Sequence, residues 1–124
     1  MNEMDRLRSL EELHYLFIEK KDRTVVAHCL ELDLVAVALD ATAAELRLNA
    51  LVKAQLIRAY ESGNFDALFF RAPQELWDAM KRAEKLPQKF LRLETAPPMV
   101  LPVEQRKLSL ELPVYRAVAP AIAA

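Results

Sequence analysis

The sequence predicts a small α+β domain: a three-stranded antiparallel sheet with a covering helix (β-β-β-α), then a second helix and a C-terminal strand. Three observations carry this. Three short β-prone runs succeed one another between residues 13 and 39, separated by turn-length gaps. A long run rich in alanine and leucine comes next, opened by Asp40-Ala41-Thr42 and closed by Gly63, the single glycine of the chain. The length of 124 residues, 53% of them apolar, suits one domain with a modest core.

The first run is Leu13-His14-Tyr15-Leu16-Phe17-Ile18, and Lys20-Lys21-Asp22-Arg23 interrupts it with charge. The second is residues 24–30, so the four polar residues between them suit a hairpin loop. A third run, residues 34–39, comes after Glu31-Leu32-Asp33, and so short a connection implies antiparallel pairing with the second. Thr42 with Glu45 matches a capping box, with Asp40 as a competing cap. The helix should run to residue 61 or 62, with Gly63 as a left-handed C-terminal cap.

Helical spacing gives this segment two apolar faces. Ala43, Leu46, Ala50, Ala54 and Ile57 fall on one side, and Leu48, Val52 and Ala59 on roughly the other. The first can cover the sheet. The second, Leu48, Val52 and Ala59, then needs another cover, from the C-terminal half of the chain or from a second copy, and is the candidate interaction face.

Residues 1–12 carry Met4, Leu7 and Leu10 among charges, a short amphipathic helix or a loose arm. After Gly63, residues 64–70 hold three phenylalanines, most simply core. Pro73 opens a second helix over 73–85 with Leu76, Trp77, Met80 and Ala83 as its apolar stripe, and Pro87 stops it. Residues 90–93 suit a short strand. Residues 107–112 alternate as a half-buried strand ended by Pro113, and 117–124 read as a weakly ordered tail. The expected organisation is therefore a core over 1–86 and an irregular extension over 87–124 that holds one strand and is not an independent domain.

A net charge of −1 offers no global field for nucleic acid or anionic membrane. One cysteine excludes an intrachain disulfide framework and, with no long apolar run, fits a cytoplasmic protein. His28 and Cys29 are adjacent on a strand, so they point to opposite faces and cannot ligate one metal as neighbours. Glu31, Asp33, Asp40 and Glu45 are the one acidic cluster near the sheet, and a degenerate Mg²⁺-dependent nuclease would have to use them. Asp40 and Glu45 are already explained by the start of a helix. No serine sits in a GxSxG setting, and a single glycine leaves no phosphate-cradling loop. No catalytic, metal-binding or cofactor-binding residue is therefore expected. Lys20, Lys21 and Arg23, and Arg82, Lys85 and Lys89, make two small basic patches that solvated loops explain.

The run Phe17-Ile18-Glu19, then Val26 through Ala36, then Asp40-Ala41-Thr42-Ala43-Ala44-Glu45 resembles the HicB-like antitoxin domain. The resemblance covers about 50 residues and implies a partial ribonuclease H fold without its catalytic acids. It also implies a non-enzymatic, homo-oligomeric interaction protein that masks a small ribonuclease toxin. The glycine common in that family before the helix is absent from Val37-Ala38-Leu39-Asp40. The run Lys107 to Pro113 resembles the opening strand of a ribbon-helix-helix module, but the stretch beyond it is too short for two helices and Pro120 interrupts it. DNA binding is accordingly not expected. The second reading is the degenerate nuclease, and the third a standalone oligomeric structural domain.

Overall fold

The computed structural model describes residues 12–63, 70–94 and 109–119. Among the described residues, five strands and two helices occur in the order β1 (Leu13–Glu19), β2 (Val25–Cys29), β3 (Leu34–Ala38), α1 (Ala41–Ser62), α2 (Gln74–Arg82), β4 (Glu84–Glu94) and β5 (Ser109–Ala119). The fold is mixed α+β, and the described strands form one sheet, ordered β3-β2-β1-β5-β4.

The expected β-β-β-α unit is present. β1 pairs antiparallel with β2, and β2 with β3. The hairpin between β1 and β2 closes through Lys20 N–H to Thr24 O (2.8 Å), and Asp22 Oδ1 accepts from both the backbone and the hydroxyl of Thr24. Arg23 takes a left-handed φ of 70° to complete that turn. Asp33 (φ 50°) does the same in the turn from β2 to β3. Gly63 (φ 70°) ends α1, donating its N–H to Ala59 O, as its single-glycine position predicts.

The N-terminal cap of α1 is Asp40, not the Thr42–Glu45 box. Asp40 Oδ1 accepts the Ala43 N–H at 2.7 Å, Thr42 is already inside the helix and exposed, and Glu45 turns inward. The second helix is shorter than expected, Gln74–Arg82, with Pro73 just outside it.

The main correction concerns the C-terminal third. Residues 87–124 are not an irregular extension with one strand: they supply most of β4 and all of β5, two strands of 11 residues each. β5 lies parallel to β1, with Leu13 opposite Val114 and Ile18 opposite Ala119, and β4 pairs antiparallel with β5. Pro87 and Pro113 do not end strands. Pro87 sits in an edge strand at the irregularity between Leu86 and Lys89, and Pro113 precedes the stretch of β5 that pairs with β1. Ala117 and Ala119, read as tail, are buried strand residues.

Alternation sorts the side chains onto two faces. Leu13, Tyr15, Phe17, Ala27, Cys29 and Val114 pack with α1. Leu16, Ala117 and Ala119 pack with α2 through Met80, Leu76 and Trp77. The helix faces of α1 depart from the expectation: of the side expected to cover the sheet, only Ala43 and Ile57 pack partly against the core. Leu48 and Val52 are 0% exposed and Ala59 is buried beside them under the sheet, so these three are core and cannot meet a second molecule. The side that carries Leu46, Ala50 and Ala54 faces outward. Both faces are apolar, so the larger buried contact of the leucine–valine–leucine row (Leu48, Val52, Leu56) decides which meets the sheet.

Phe70, expected as core, is 63% exposed. Residues 1–11, Phe65, Phe69, Lys107 and the tail from residue 120 lie outside the described residues. Among the described residues, no helix is long and apolar enough to cross a membrane.

The cap assignment makes a direct prediction. Asp40→Ala should lower unfolding free energy by about 1 kcal/mol in urea denaturation, and Thr42→Ala should leave it nearly unchanged. The opposite ranking would restore the Thr42 box.

Candidate functional site

Two polar clusters lie on opposite faces of the sheet. The first is built on Glu45. Its position one turn into α1 places it over the middle of the sheet, and its side chain is only 8% exposed. Two cations from the C-terminal hairpin reach it: Arg116 Nε at 2.5 Å and Lys89 Nζ at 2.7 Å. Arg116 lies opposite Tyr15 in the parallel pairing, hence on the α1 face. Its guanidinium also donates to Pro87 O at 3.1 Å and sits 5.7 Å from the Phe17 ring centroid. Nearby, the Tyr15 hydroxyl donates to Asn49 Oδ1 at 2.8 Å. Burial pushes the Tyr15 phenol well above its ordinary range, so it acts as a fixed donor.

The second cluster is built on His14, on the α2 face. Its backbone N–H donates to Glu31 Oε1 at 2.7 Å, and its Nδ1 lies 2.5 Å from Glu31 Oε2. The ring stacks on Tyr115 (5.3 Å between centroids) and meets Trp77 at 5.6 Å, and the Arg71 guanidinium lies over the Trp77 ring, 4.3 Å from its centroid. The hydrogen bond to Glu31 raises the His14 pKa above its ordinary value, against the opposing pull of burial. His14 is thus held in a fixed place between aromatic rings, with Glu31 favouring its protonated form. Trp77 Nε1 is buried and meets no acceptor among the described residues. On the same face His28 Nε2 lies 2.6 Å from Asp33 Oδ1.

The four carboxylates singled out in the sequence are not brought together. Glu31 holds His14, Asp33 holds His28, Asp40 caps α1, and Glu45 holds Arg116 and Lys89 on the other face. Among the described residues, no three His, Cys, Asp or Glu side chains converge as metal ligands would. Cys29 points into the α1-side core, away from His28, and burial pushes its thiol up to about 12. In the second basic patch, Lys89 is engaged with Glu45, and Lys85 donates to Met80 O.

The sequence could not have paired His14 with Glu31, 17 residues away, or Glu45 with Arg116, 71 away. Both depend on strand register, the second on a parallel pairing that no local signal announces. What the chain does expose is apolar surface. Leu46 is 65% exposed on α1, Leu51 40%, and Leu39 81% just before it; Val35 and Val37 are exposed on β3.

No protein-family model, no curated protein and no solved structure matches the chain.

Each cluster can be tested. Glu45→Ala leaves Arg116 buried without a counter-charge and should cost about 3 kcal/mol of stability. Lys89→Ala removes a side chain that is 58% exposed and should cost less than about 1 kcal/mol. Equal losses on urea denaturation would contradict this ordering. For His14, a folded pKa above the unfolded one stabilises the fold at low pH, and the gain disappears as pH rises through the folded value. A ¹H–¹⁵N NMR titration should find His14 titrating above the ordinary histidine value of 6.5, and Glu31→Gln should bring it down. An unchanged midpoint in that variant would remove Glu31 as the cause.

Proposed function

We propose that the chain is a non-enzymatic, homo-oligomeric interaction protein of HicB-like kind, acting in the cytoplasm as an antitoxin that masks a small ribonuclease toxin. The observation that carries this reading is the outward face of α1. A helix packed on a sheet ordinarily presents polar side chains to water. Here Leu46, Ala50 and Ala54 are exposed along one side, with Leu51 on its flank and Leu39 at the entry to the helix. Contiguous exposed apolar surface of this kind marks a place for another protein. The resemblance of residues 17–45 to the HicB-like domain supplies the class of partner. DNA binding is no part of the proposal.

The test is inhibition of RNA cleavage by a small ribonuclease toxin of the kind such antitoxins neutralise. Stoichiometric amounts of the chain should suppress cleavage. Leu46→Asp, at a position 65% exposed, should weaken suppression at least tenfold while leaving the unfolding curve in place. Failure of the unmodified chain to suppress cleavage or to bind the toxin contradicts the antitoxin reading.

A further inference from the structure

Among the described residues, the sheet ends in two edges with no neighbouring strand, and they are built differently. The β4 edge carries Lys85, Lys89 and Arg92, an irregularity between Leu86 and Lys89, and Pro87. Charge, bulge and proline are the devices that keep an edge from pairing with another chain. The β3 edge has none of them. Leu34-Val35-Ala36-Val37-Ala38 is uncharged and regular, in unbroken register with β2. Arg47 Nη1 donates to Val37 O at 2.6 Å from the side away from β2. In an antiparallel ladder a residue's N–H and C=O point the same way, so the backbone groups of Val37, and of Val35 two residues earlier, face the open edge. Among the described residues, the Arg47 contact is the single hydrogen bond on that edge.

We propose that the β3 edge is the homodimer interface of this chain: two copies pair their β3 strands antiparallel about a twofold axis at Ala36, joining two five-stranded sheets into one of ten. Three features select a second copy as the occupant. A twofold antiparallel pairing sets a strand against itself, which charged strands resist and this uncharged one does not. In the register centred on Ala36, Val35 of each copy lies opposite Val37 of the other, and the two pairs exchange four backbone hydrogen bonds. The Val35 and Val37 side chains, 44% and 45% exposed on the face that α2 leaves uncovered at this edge, then cover one another.

The third feature is the helix spacing. α1 packs over β2 and β3. With strands about 4.8 Å apart, a helix between β2 and β3 stands about 5 Å from the axis. The two α1 helices therefore come about 10 Å apart, a normal helix packing distance. Arg47 marks the flank of α1 next to the edge, and helical spacing puts Leu51 on that flank. Leu51, 40% exposed, meets the partner there, and Arg47 gives up Val37 O to the partner's N–H. The outward row of Leu46, Ala50 and Ala54 stays free.

This deepens the reading of the chain as an oligomeric interaction module, and its test needs no toxin, so the two can fail separately. Light scattering on the full chain at micromolar to submillimolar concentration should give twice the monomer mass. Val35→Lys with Val37→Lys should weaken the dimer at least tenfold. A monomer in the unmodified chain, or a dimer that the lysines leave intact, overturns the proposal. A second pair of variants does not depend on the lysine variant folding: chains carrying Val35→Cys and chains carrying Val37→Cys, mixed and oxidised, should cross-link to each other and much less to themselves. Cross-linking that is absent, or that joins either variant preferentially to itself, would overturn the register.

Discussion

The fold depends on β1 having a strand on each side. Leu13 and Tyr15 are 0% exposed and Phe17 1% exposed on the α1 face, and Leu16 is 0% exposed on the α2 face. A strand buried on both faces must also satisfy its backbone on both edges. β2 satisfies one edge through a tight hairpin. The other is satisfied by β5, which arrives in parallel register from the far end of the chain. The N-terminal unit is therefore not complete when α1 ends. Its core closes only when the C-terminal hairpin docks.

The polar clusters fix how that docking occurs. Arg116 is opposite Tyr15 and points to α1, where Glu45 waits; Tyr115 is opposite His14 and points to α2, where it stacks on the imidazole. A slip of β5 by one residue would reverse both. Arg116 would then enter the apolar layer of Leu16 and Met80, and Glu45 would be left with Lys89 alone. The parallel pairing has little turn geometry to set its register, and these two side chains set it from opposite faces. This arrangement also accounts for the burial of Glu45: two elements distant in sequence supply Arg116 and Lys89 as its partners.

Much of the N-terminal unit is legible because its signals are local. The hairpin is readable from the charges of residues 20–23, and the end of α1 from Gly63. The separation of His28 from Cys29 comes from strand alternation. The two apolar faces of α1 are also visible, but periodicity cannot say which one meets a sheet, and Leu48, Val52 and Ala59 go to the core rather than to a partner. Pro87 and Pro113 read as breaks because a proline in an interior strand costs a ladder bond. Here one lies on an edge and the other where β5 has a single neighbour. Glu45 reads as an acid at a helix start; its partners Lys89 and Arg116 lie 44 and 71 residues away, beyond any local pattern. The carboxylate cluster is a cluster in sequence only, since alternation and the turn after Cys29 disperse it over two faces.

The dependence of β1 on β5 is tested most directly by equilibrium unfolding of a chain ending at Leu86. That truncation removes β5, most of β4 and both cations that hold Glu45. The shortened chain should lose cooperative unfolding in urea, monitored by circular dichroism, because β1 is left with one open edge and an uncovered core. A truncated chain that unfolds cooperatively at the same urea midpoint as the full protein would mean that the β-β-β-α unit stands alone, and that the β1–β5 pairing is an accessory to the fold and not its condition.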